Sequence, residues 1–356
     1  MNNEIKCFSF SQDGLIFKGI VEDYTSFSFE RSYTGVGQWQ LVISPYSNGV
    51  SYLANADIIS MGNGIAGIIT NKALIKDESY TFTGTELKGI ANKRIVYPPD
   101  GAAYLHYRDY PENVIASLLT TQITAASDVR KITGTVANDG IVSDSKITYD
   151  GRFGVVADEI ASIAETYNIG WYADVQGNGI VWHVFHGVDR TATQNENNRF
   201  LIDMENSGGQ IERLYHNSNC ALVAGQGEGV ERAIEYVNDT VSGWNRSELY
   251  VDARDIKDAT LLGQRGNEKL AEYGTDTTLT IEPYNFLLNT YRTGYELGDI
   301  GTYMPLGLDV RLTSITEIYE DNAFSLSYSF GFDAHTLSQR LNRMAKNTAT
   351  LMAKEV

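Results

Sequence analysis

Two histidines three residues apart, His183 and His186, are the first candidates for chemistry, because imidazole nitrogens are common metal ligands. Zinc needs three or four converging ligands, and no cysteine or further histidine lies near this pair. The surrounding residues predict a strand, in which side chains three positions apart point to opposite faces. We therefore expect two structural histidines and no metal site.

A glycine-rich run at Gly225–Gly229 has the composition of a phosphate-binding loop. It lacks the third glycine of the dinucleotide-binding pattern and the lysine of a P-loop. The residues after it, Val230–Val237, are typical of a strand, whereas a phosphate-binding loop leads into a helix. The run is interpreted as a hairpin connection, and no cofactor is predicted.

Carboxylates are numerous, and Glu228 with Glu231, or Asp158 with Glu165, could be written as the acid and base of a glycosidase. Such an enzyme needs two carboxylates across a cleft with matched pKa values, and sequence spacing does not establish that arrangement. The chain has no GxSxG, HExxH or paired Cys–His signature. We predict no catalytic residue and interpret these carboxylates as solvated.

A short charged segment precedes a predicted amphipathic helix in the C-terminal half. Asp258 is the predicted N-cap of this helix, because a carboxylate there accepts hydrogen bonds from free backbone donors. Arg254 and Asp255 stand just before this cap. Their first interpretation is capping and packing of the helix, and a contact between subunits is the alternative.

Composition narrows the class of protein. The chain has 356 residues, too many for one ordinary core, and its 33 glycines and 22 tyrosines suit many short strands. A formal charge of −17 argues against tight nucleic-acid binding, which depends on basic side chains. The N-terminus lacks a secretory pattern, and no apolar run reaches the roughly 18 residues of a membrane span. Synthesis and folding in the cytoplasm are predicted.

Hydrophobic periodicity divides the chain into parts. Residues 1–97 read as successive strands, with Trp39, Leu41 and Ile43 buried on one face, and they predict an antiparallel β-barrel. Residues 98–208 predict an α+β domain, with helices from Pro111 and over Val155–Tyr167 and a hairpin after them.

Residues 209–333 return to strands and predict a second β-barrel with an inserted helical segment at about 239–285. Residues 334–356 predict a C-terminal helix, because apolar side chains recur there at spacings of four and three. This a/d rhythm predicts a coiled coil, and a single amphipathic helix docked on its own domain is the alternative. The residues of the rhythm, as candidate trimer contacts, are Leu337, Leu341, Met344, Thr348 and Leu351.

Six segments, in this order and spacing, carry a resemblance to a known family. They are FERSYTGVGQWQLVI (Phe29–Ile43), FTGTELKGIANKRIV (Phe82–Val96), LVAGQGEGVER (Leu222–Arg232), YVDARDI (Tyr250–Ile256), QRGNEKLAEYG (Gln264–Gly274) and YELGDIGTY (Tyr295–Tyr303). The chain resembles the tail-hub or baseplate proteins of long-tailed bacteriophages, which are also found in contractile bacteriocin particles. The sequence does not separate these two kinds of particle.

The resemblance implies two tube-like β-barrel domains with peripheral domains, and a homotrimeric ring at the tail tip within the virion, assembled in the host bacterial cytoplasm. Such a ring adapts a six-fold tail tube to three-fold tip structures. Its implied partners are a distal tail protein ring, the tape-measure protein and fibre, spike or receptor-binding proteins, and DNA passes through its channel without tight binding.

Many relatives continue into further modules, whereas this sequence stops at Val356. Receptor binding and wall digestion then belong to separate proteins, or the sequence is part of a longer one.

Two other functions fit the tip of a tail. A cell-wall carbohydrate-binding module would use exposed aromatic residues such as Trp171, Trp182 or Trp244. A wall hydrolase is the second alternative, although no motif supports it.

Overall fold

The structure is a computed structural model. It describes residues 4–11, 14–75, 79–127, 129–203, 205, 207–214, 218–254, 256, 258–271, 276–284, 287, 290–320 and 323–331. Its strands are β1 (Ile5–Ser11), β2 (Gly14–Val21), β3 (Tyr24–Ser32), β4 (Gln38–Ile43), β5 (Ile58–Gly62), β6 (Ile65–Ile75), β7 (Ser79–Glu86), β8 (Leu105–Asp109), β9 (Gly134–Asn138), β10 (Ile147–Gly151), β11 (Gly170–Gln176), β12 (Gly179–Phe185), β13 (Leu201–Ile202), β14 (Ser207–Leu214), β15 (Cys220–Ala224), β16 (Ile234–Val237), β17 (Glu248–Asp252), β18 (Asp276–Pro283), β19 (Ile300–Tyr303), β20 (Leu308–Glu320) and β21 (Ala323–Phe330). Its α-helices are α1 (Pro111–Leu119), α2 (Val156–Tyr167) and α3 (Leu262–Ala271).

A thirteen-stranded, mostly antiparallel sheet forms the body of the protein. Its main path runs β14-β18-β21-β20-β3-β4-β7-β6-β5-β1-β2, and β19 joins β20 to β13. Strand β3, near the N-terminus, pairs with β20, near the C-terminus, from Ser26↔Glu320 to Ser32↔Ser314. The two β-rich parts of the sequence therefore share one sheet.

The expectation of two barrels is not confirmed. Among the described residues, the main path of the sheet is open, with β2 at one end and β14 at the other. Pairing between β3 and β20 uses backbone groups that a separately closed barrel would satisfy internally. A β-rich α+β protein with a predominantly antiparallel sheet is what the structure shows.

The middle part contains the predicted helices. Helix α1 starts with proline at its first turn, and α2 ends at Asn168, whose left-handed conformation stops it. They pack beside a two-stranded sheet, β8-β10, and a three-stranded sheet, β9-β12-β11. Trp171 and Trp182 project from the hairpin β11–β12 into this core and stack at 6.4 Å.

A small unit lies between β14 and β18, which are neighbours in the main sheet. It consists of the sheet β16-β15-β17 and helix α3. The helix covers one face of this sheet through a small apolar core containing Val223, Val251 and Leu262. Asp258 accepts a hydrogen bond from the backbone N–H of Thr260, which confirms the predicted N-cap. None of the described helices is long and apolar enough to cross a membrane.

Candidate functional site

A buried cluster of charged side chains lies where β3 and β20 pair. The Arg31 guanidinium lies 2.6 Å from a Glu296 carboxylate oxygen, and its Nε lies 3.7 Å from Glu317. Arg292 approaches the same Glu317 oxygen to 2.6 Å. Glu317 is 2 % exposed, so its carboxylate has left water almost completely. Such a charge is tolerated only when it is paired and hydrogen-bonded.

Two tyrosines complete the contacts of Glu317. The hydroxyl of Tyr291 donates to one carboxylate oxygen and that of Tyr319 to the other, each at 2.7 Å. Burial raises the pKa of Glu317, but Arg292, Arg31 and these hydrogen bonds outweigh burial and hold the pKa below its usual value. The carboxylate is therefore ionised at neutral pH and unable to act as a general acid.

A second buried ion pair lies at the end of the strand β3. Lys88 is fully buried, and its Nζ lies 3.2 Å from Glu86. The same Nζ donates to the carbonyl oxygens of Ser32 at 2.5 Å and Trp171 at 2.9 Å. Glu86 also accepts a hydrogen bond of 2.7 Å from the backbone N–H of Gly37. This pair fixes β3 and its following turn against the hairpin β11–β12 of the middle part.

Three of the segments that carry the family resemblance meet here. Arg31 comes from the first segment, Lys88 from the second, and Glu296 from the sixth, YELGDIGTY. Sequence reasoning missed these charges. The available signal was their position in otherwise apolar strands and turns, where a charge needs a partner.

The YELGD turn packs against the Tyr33 ring. Gly298 has φ +91°, and a Cβ there would lie 2.3 Å from a Tyr33 ring carbon. Tyr33 is fully buried and donates its hydroxyl to the Asn168 carbonyl at 2.8 Å. The turn thus requires glycine for both its backbone conformation and its space.

Substitution of Gly298 by alanine should lower the free energy of unfolding by more than about 1 kcal/mol. Backbone strain alone costs about 1–3 kcal/mol, and the contact of the added Cβ with Tyr33 adds to it. Urea denaturation measures this loss. Gly307→Ala is the matched control, because Gly307 has φ +59° and nothing within 4 Å of the added Cβ. Equal losses in the two variants would show that the contact with Tyr33 contributes nothing.

Arg254 and Asp255 were predicted to belong to helix capping or to a contact between subunits. Arg254 is half-exposed and pairs with Asp252, with a shortest N–O distance of 2.6 Å. Asp252 also binds Arg232 at 2.7 Å. Asp255 lies outside the described residues, so the proposed role of this pair stays a prediction. The five C-terminal positions of the a/d rhythm, from Leu337 to Leu351, lie outside the described residues as well.

His183 lies on the predicted strand, β12, and His186 follows directly after the end of that strand. His183 stacks on Tyr172 at 4.4 Å, and His186 lies 3.0 Å from Glu112. Among the described residues, no group of three or more His, Cys, Asp or Glu side chains could hold a metal ion. Gly225–Gly229 lies in the connection between the antiparallel strands β15 and β16, as expected for a hairpin.

The tryptophans differ sharply in exposure. Trp171 and Trp182 are fully buried, so their suggested role in carbohydrate binding is wrong; both fill the core beneath the hairpin β11–β12. Trp39 is 2 % exposed, which confirms its predicted burial. Trp244, by contrast, is completely exposed on a turn of the small unit.

Comparison with solved structures shows the fold of phage tail proteins. The 43 kDa tail protein of prophage MuSo2 from Shewanella oneidensis has a TM-score of 0.56 at 14% identity, covering 92% of this chain and 98% of that one. Prophage tail protein gp18 from Listeria monocytogenes EGD-e has a TM-score of 0.56 at 11% identity, covering 96% and 98%. The tail protein from Neisseria meningitidis MC58 has a TM-score of 0.53 at 11% identity, covering 93% and 96%.

The sequence comparisons agree with this fold. No curated protein matches the chain. Residues 12–332 match the family described as Siphovirus ReqiPepy6 Gp37-like protein, which confirms the resemblance to phage tail proteins. With most of its length matched, the chain belongs to the Siphovirus ReqiPepy6 Gp37-like protein family of phage tail proteins.

Proposed function

We propose that the protein is a structural, non-enzymatic hub of the phage tail tip, acting as a homotrimeric ring. The ring joins the six-fold tail tube, through a distal tail protein ring, to three-fold fibre, spike or receptor-binding proteins. Its channel holds the tape-measure protein and later passes DNA. The two β-rich parts, 1–97 and 209–333, serve as the tube-like units of each copy. Assembly takes place in the host cytoplasm, and the protein becomes part of the virion.

One observation carries this proposal beyond membership of the family: the main sheet has an unpaired and apolar edge. Strand β2 pairs only with β1 among the described strands. Its side chains Ile16, Phe17 and Ile20 are 55%, 55% and 38% exposed. Lys18, the one charged residue of this strand, is paired with Asp57 at 2.5 Å, so the exposed side chains of the edge are apolar. An unpaired edge with exposed apolar side chains favours pairing with a neighbouring copy.

Net charge supports the passage of DNA through the channel. At −17, the chain repels phosphates, so DNA near its surface is not held by counterion release. A channel wall with a net positive charge in the assembled ring would contradict this part of the proposal.

A carbohydrate-binding module is not favoured. Two of its three candidate tryptophans are buried, and Trp244 is the one candidate that is exposed. The a/d positions of residues 334–356 and an intersubunit role for Arg254 and Asp255 stay predictions.

Electron microscopy class averages of the full chain at high concentration test the ring. We expect three-fold rings with a central pore wide enough for duplex DNA. Phe17→Lys should greatly reduce the fraction of rings, because it places a charge on the apolar edge of β2. Leu74→Lys is the matched control, since Leu74 is 54% exposed but lies on β6, inside the sheet.

Failure to form rings, both alone and with the distal tail ring of the same particle, would contradict the hub proposal. Rings that form equally well with Phe17→Lys would leave the hub standing and exclude the β2 edge from the contact.

A further inference from the structure

An apolar cleft with a basic rim opens between the β1–β2 hairpin and the middle part. Its volume is about 980 Å³, within the size range of sites that enclose a ligand or large side chain. Phe10, Leu15 and Ile90 are among its apolar lining residues.

The described residues that line the cleft carry a charge opposite to that of the whole protein. Lys93, Arg94 and Lys131 are among them, and none of the described lining residues is an aspartate or glutamate. No described carboxylate forms an ion pair with these three cations, although the chain carries 45 acidic residues against 28 lysines and arginines. Burial and the neighbouring Arg130 lower the pKa of Arg94, as expected where positive charge is not compensated. The cleft therefore suits an apolar or aromatic group that brings negative charge or a π face.

Trp244 is an aromatic group of this kind, and it lies on a loop whose backbone is anchored. The turn Gly243–Asn245 presents the indole with 101% exposure. Arg246 anchors the loop by donating to the Val241 carbonyl at 2.9 Å and by ion pairs of 2.9 and 2.6 Å with Asp239 and Glu248. These two carboxylates are themselves exposed and leave the loop with a net negative charge beside the indole. A loop that is ordered before binding loses less conformational entropy when its side chain docks.

The cleft and the tryptophan loop are two different surfaces of one chain. A cyclic ring requires a heterologous contact, in which one surface of each copy meets a different surface of the next. Tryptophan is the commonest anchor of such contacts, and an indole beside lysine and arginine gains cation–π attraction. The cleft and the tryptophan loop thus complement each other in polarity and charge.

We infer that Trp244 of one copy docks into the cleft bordered by Lys93, Arg94 and Lys131 of the next copy. This inference rests on the proposed ring, and it names the contact that closes it. The occupant of the cleft is a second copy of this chain; a tail partner or a glycan on Trp244 is an outcome that the test separates.

Acrylamide quenching of tryptophan fluorescence tests this contact directly, because Trp39, Trp171 and Trp182 are buried and only Trp244 of the four tryptophans is open to the quencher. The full chain is followed across a concentration series by quenching and by analytical ultracentrifugation. We expect protection of Trp244 to rise together with the trimer. Trp244→Ala and Lys93→Glu/Lys131→Glu should each weaken self-association at least about 30-fold, as for the loss of a central anchor.

Tyr46→Ala is the matched control, since it removes an aromatic side chain that is 84% exposed elsewhere on the surface and should leave association unchanged. A mixture of the two defective variants gives a further signature. Each retains one working surface, so the mixture should form one-to-one heterodimers that grow no further. Circular dichroism shows that each variant has folded.

The outcomes separate this inference from the hub proposal. A trimer in which Trp244 stays open to acrylamide overturns the docking contact and leaves the ring. Dimers or open chains with Trp244 protected support the contact and overturn the three-fold ring. A wild-type chain that stays monomeric with Trp244 open at every concentration overturns the contact, and protection only on adding a tail protein or a glycan assigns Trp244 to that partner instead.

Discussion

Glu317→Gln should lower the free energy of unfolding by about 3–5 kcal/mol, the usual loss when one partner of a buried ion pair is removed. The substitution keeps the shape of the side chain but removes the charge that Arg31 and Arg292 share. Arg292 would then lie next to a neutral amide in the interior of the protein. Urea denaturation of both proteins at pH 7 measures the difference.

The pH dependence of this difference tests its electrostatic origin. The folded-state pKa of Glu317 lies below its usual value, although burial acts in the opposite direction, because Arg292 and Arg31 stabilise the carboxylate. Its contribution to stability is therefore complete above the unfolded-state pKa of about 4.3 and is lost as the pH falls through the lower folded-state pKa. The gap between wild type and Glu317→Gln should be constant near neutral pH and shrink below about pH 4.

Glu320→Gln provides the control, because Glu320 lies three residues further along the same strand and is exposed. We expect a change within about 0.5 kcal/mol for this surface substitution. A gap for Glu317→Gln that stays constant down to acid pH would contradict the role of its charge and point to packing instead.

Lys88→Met should cost about 3 kcal/mol of unfolding free energy, for the same reason applied to a buried cation. Methionine fills a similar volume, but it leaves Glu86 without its cation and the carbonyl groups of Ser32 and Trp171 without their donor. The loss should be smaller at low pH, since a protonated Glu86 needs no cation. Thermal and urea denaturation measure the effect.

A double-mutant cycle with Glu86→Gln separates the ion pair from general damage. Removing both charges should cost less than the sum of the two single losses, because no unpaired charge remains. Lys146→Met is the control, since Lys146 is exposed and its ion pair with Asp109, at 3.5 Å, lies at the surface. Additive losses in the cycle would show that Lys88 and Glu86 do not act as a pair.

Local patterns in the sequence predicted much of the secondary structure. The proline at the first turn of α1, the apolar spacing of α2 and the alternation around Trp39 depend on neighbours within a few residues. The same holds for the Asp258 cap, whose hydrogen bond spans only two residues. Interactions of such short range can be predicted from the sequence without knowledge of the fold.

The six segments that carry the family resemblance were also visible in the sequence, but the buried ion pairs that they form were not. Arg31 and Glu317 are 286 positions apart, and Lys88 meets Trp171 across 83 residues. No local pattern relates such positions, so the charges looked like ordinary surface residues. Their burial becomes evident only when β3 pairs with β20.

By itself, the sequence of this phage tail protein determined the type and place of many elements, the acidic character of the chain and its family. The tertiary structure decided that the two β-rich parts form one open sheet, that Trp171 and Trp182 are buried while Trp244 is exposed, and that Lys93, Arg94 and Lys131 line one cleft. The physical reason is the distance along the chain between the residues that interact. Periodicity and capping follow from contacts between residues close in sequence, whereas strand order, burial and charge pairing depend on which distant segments meet.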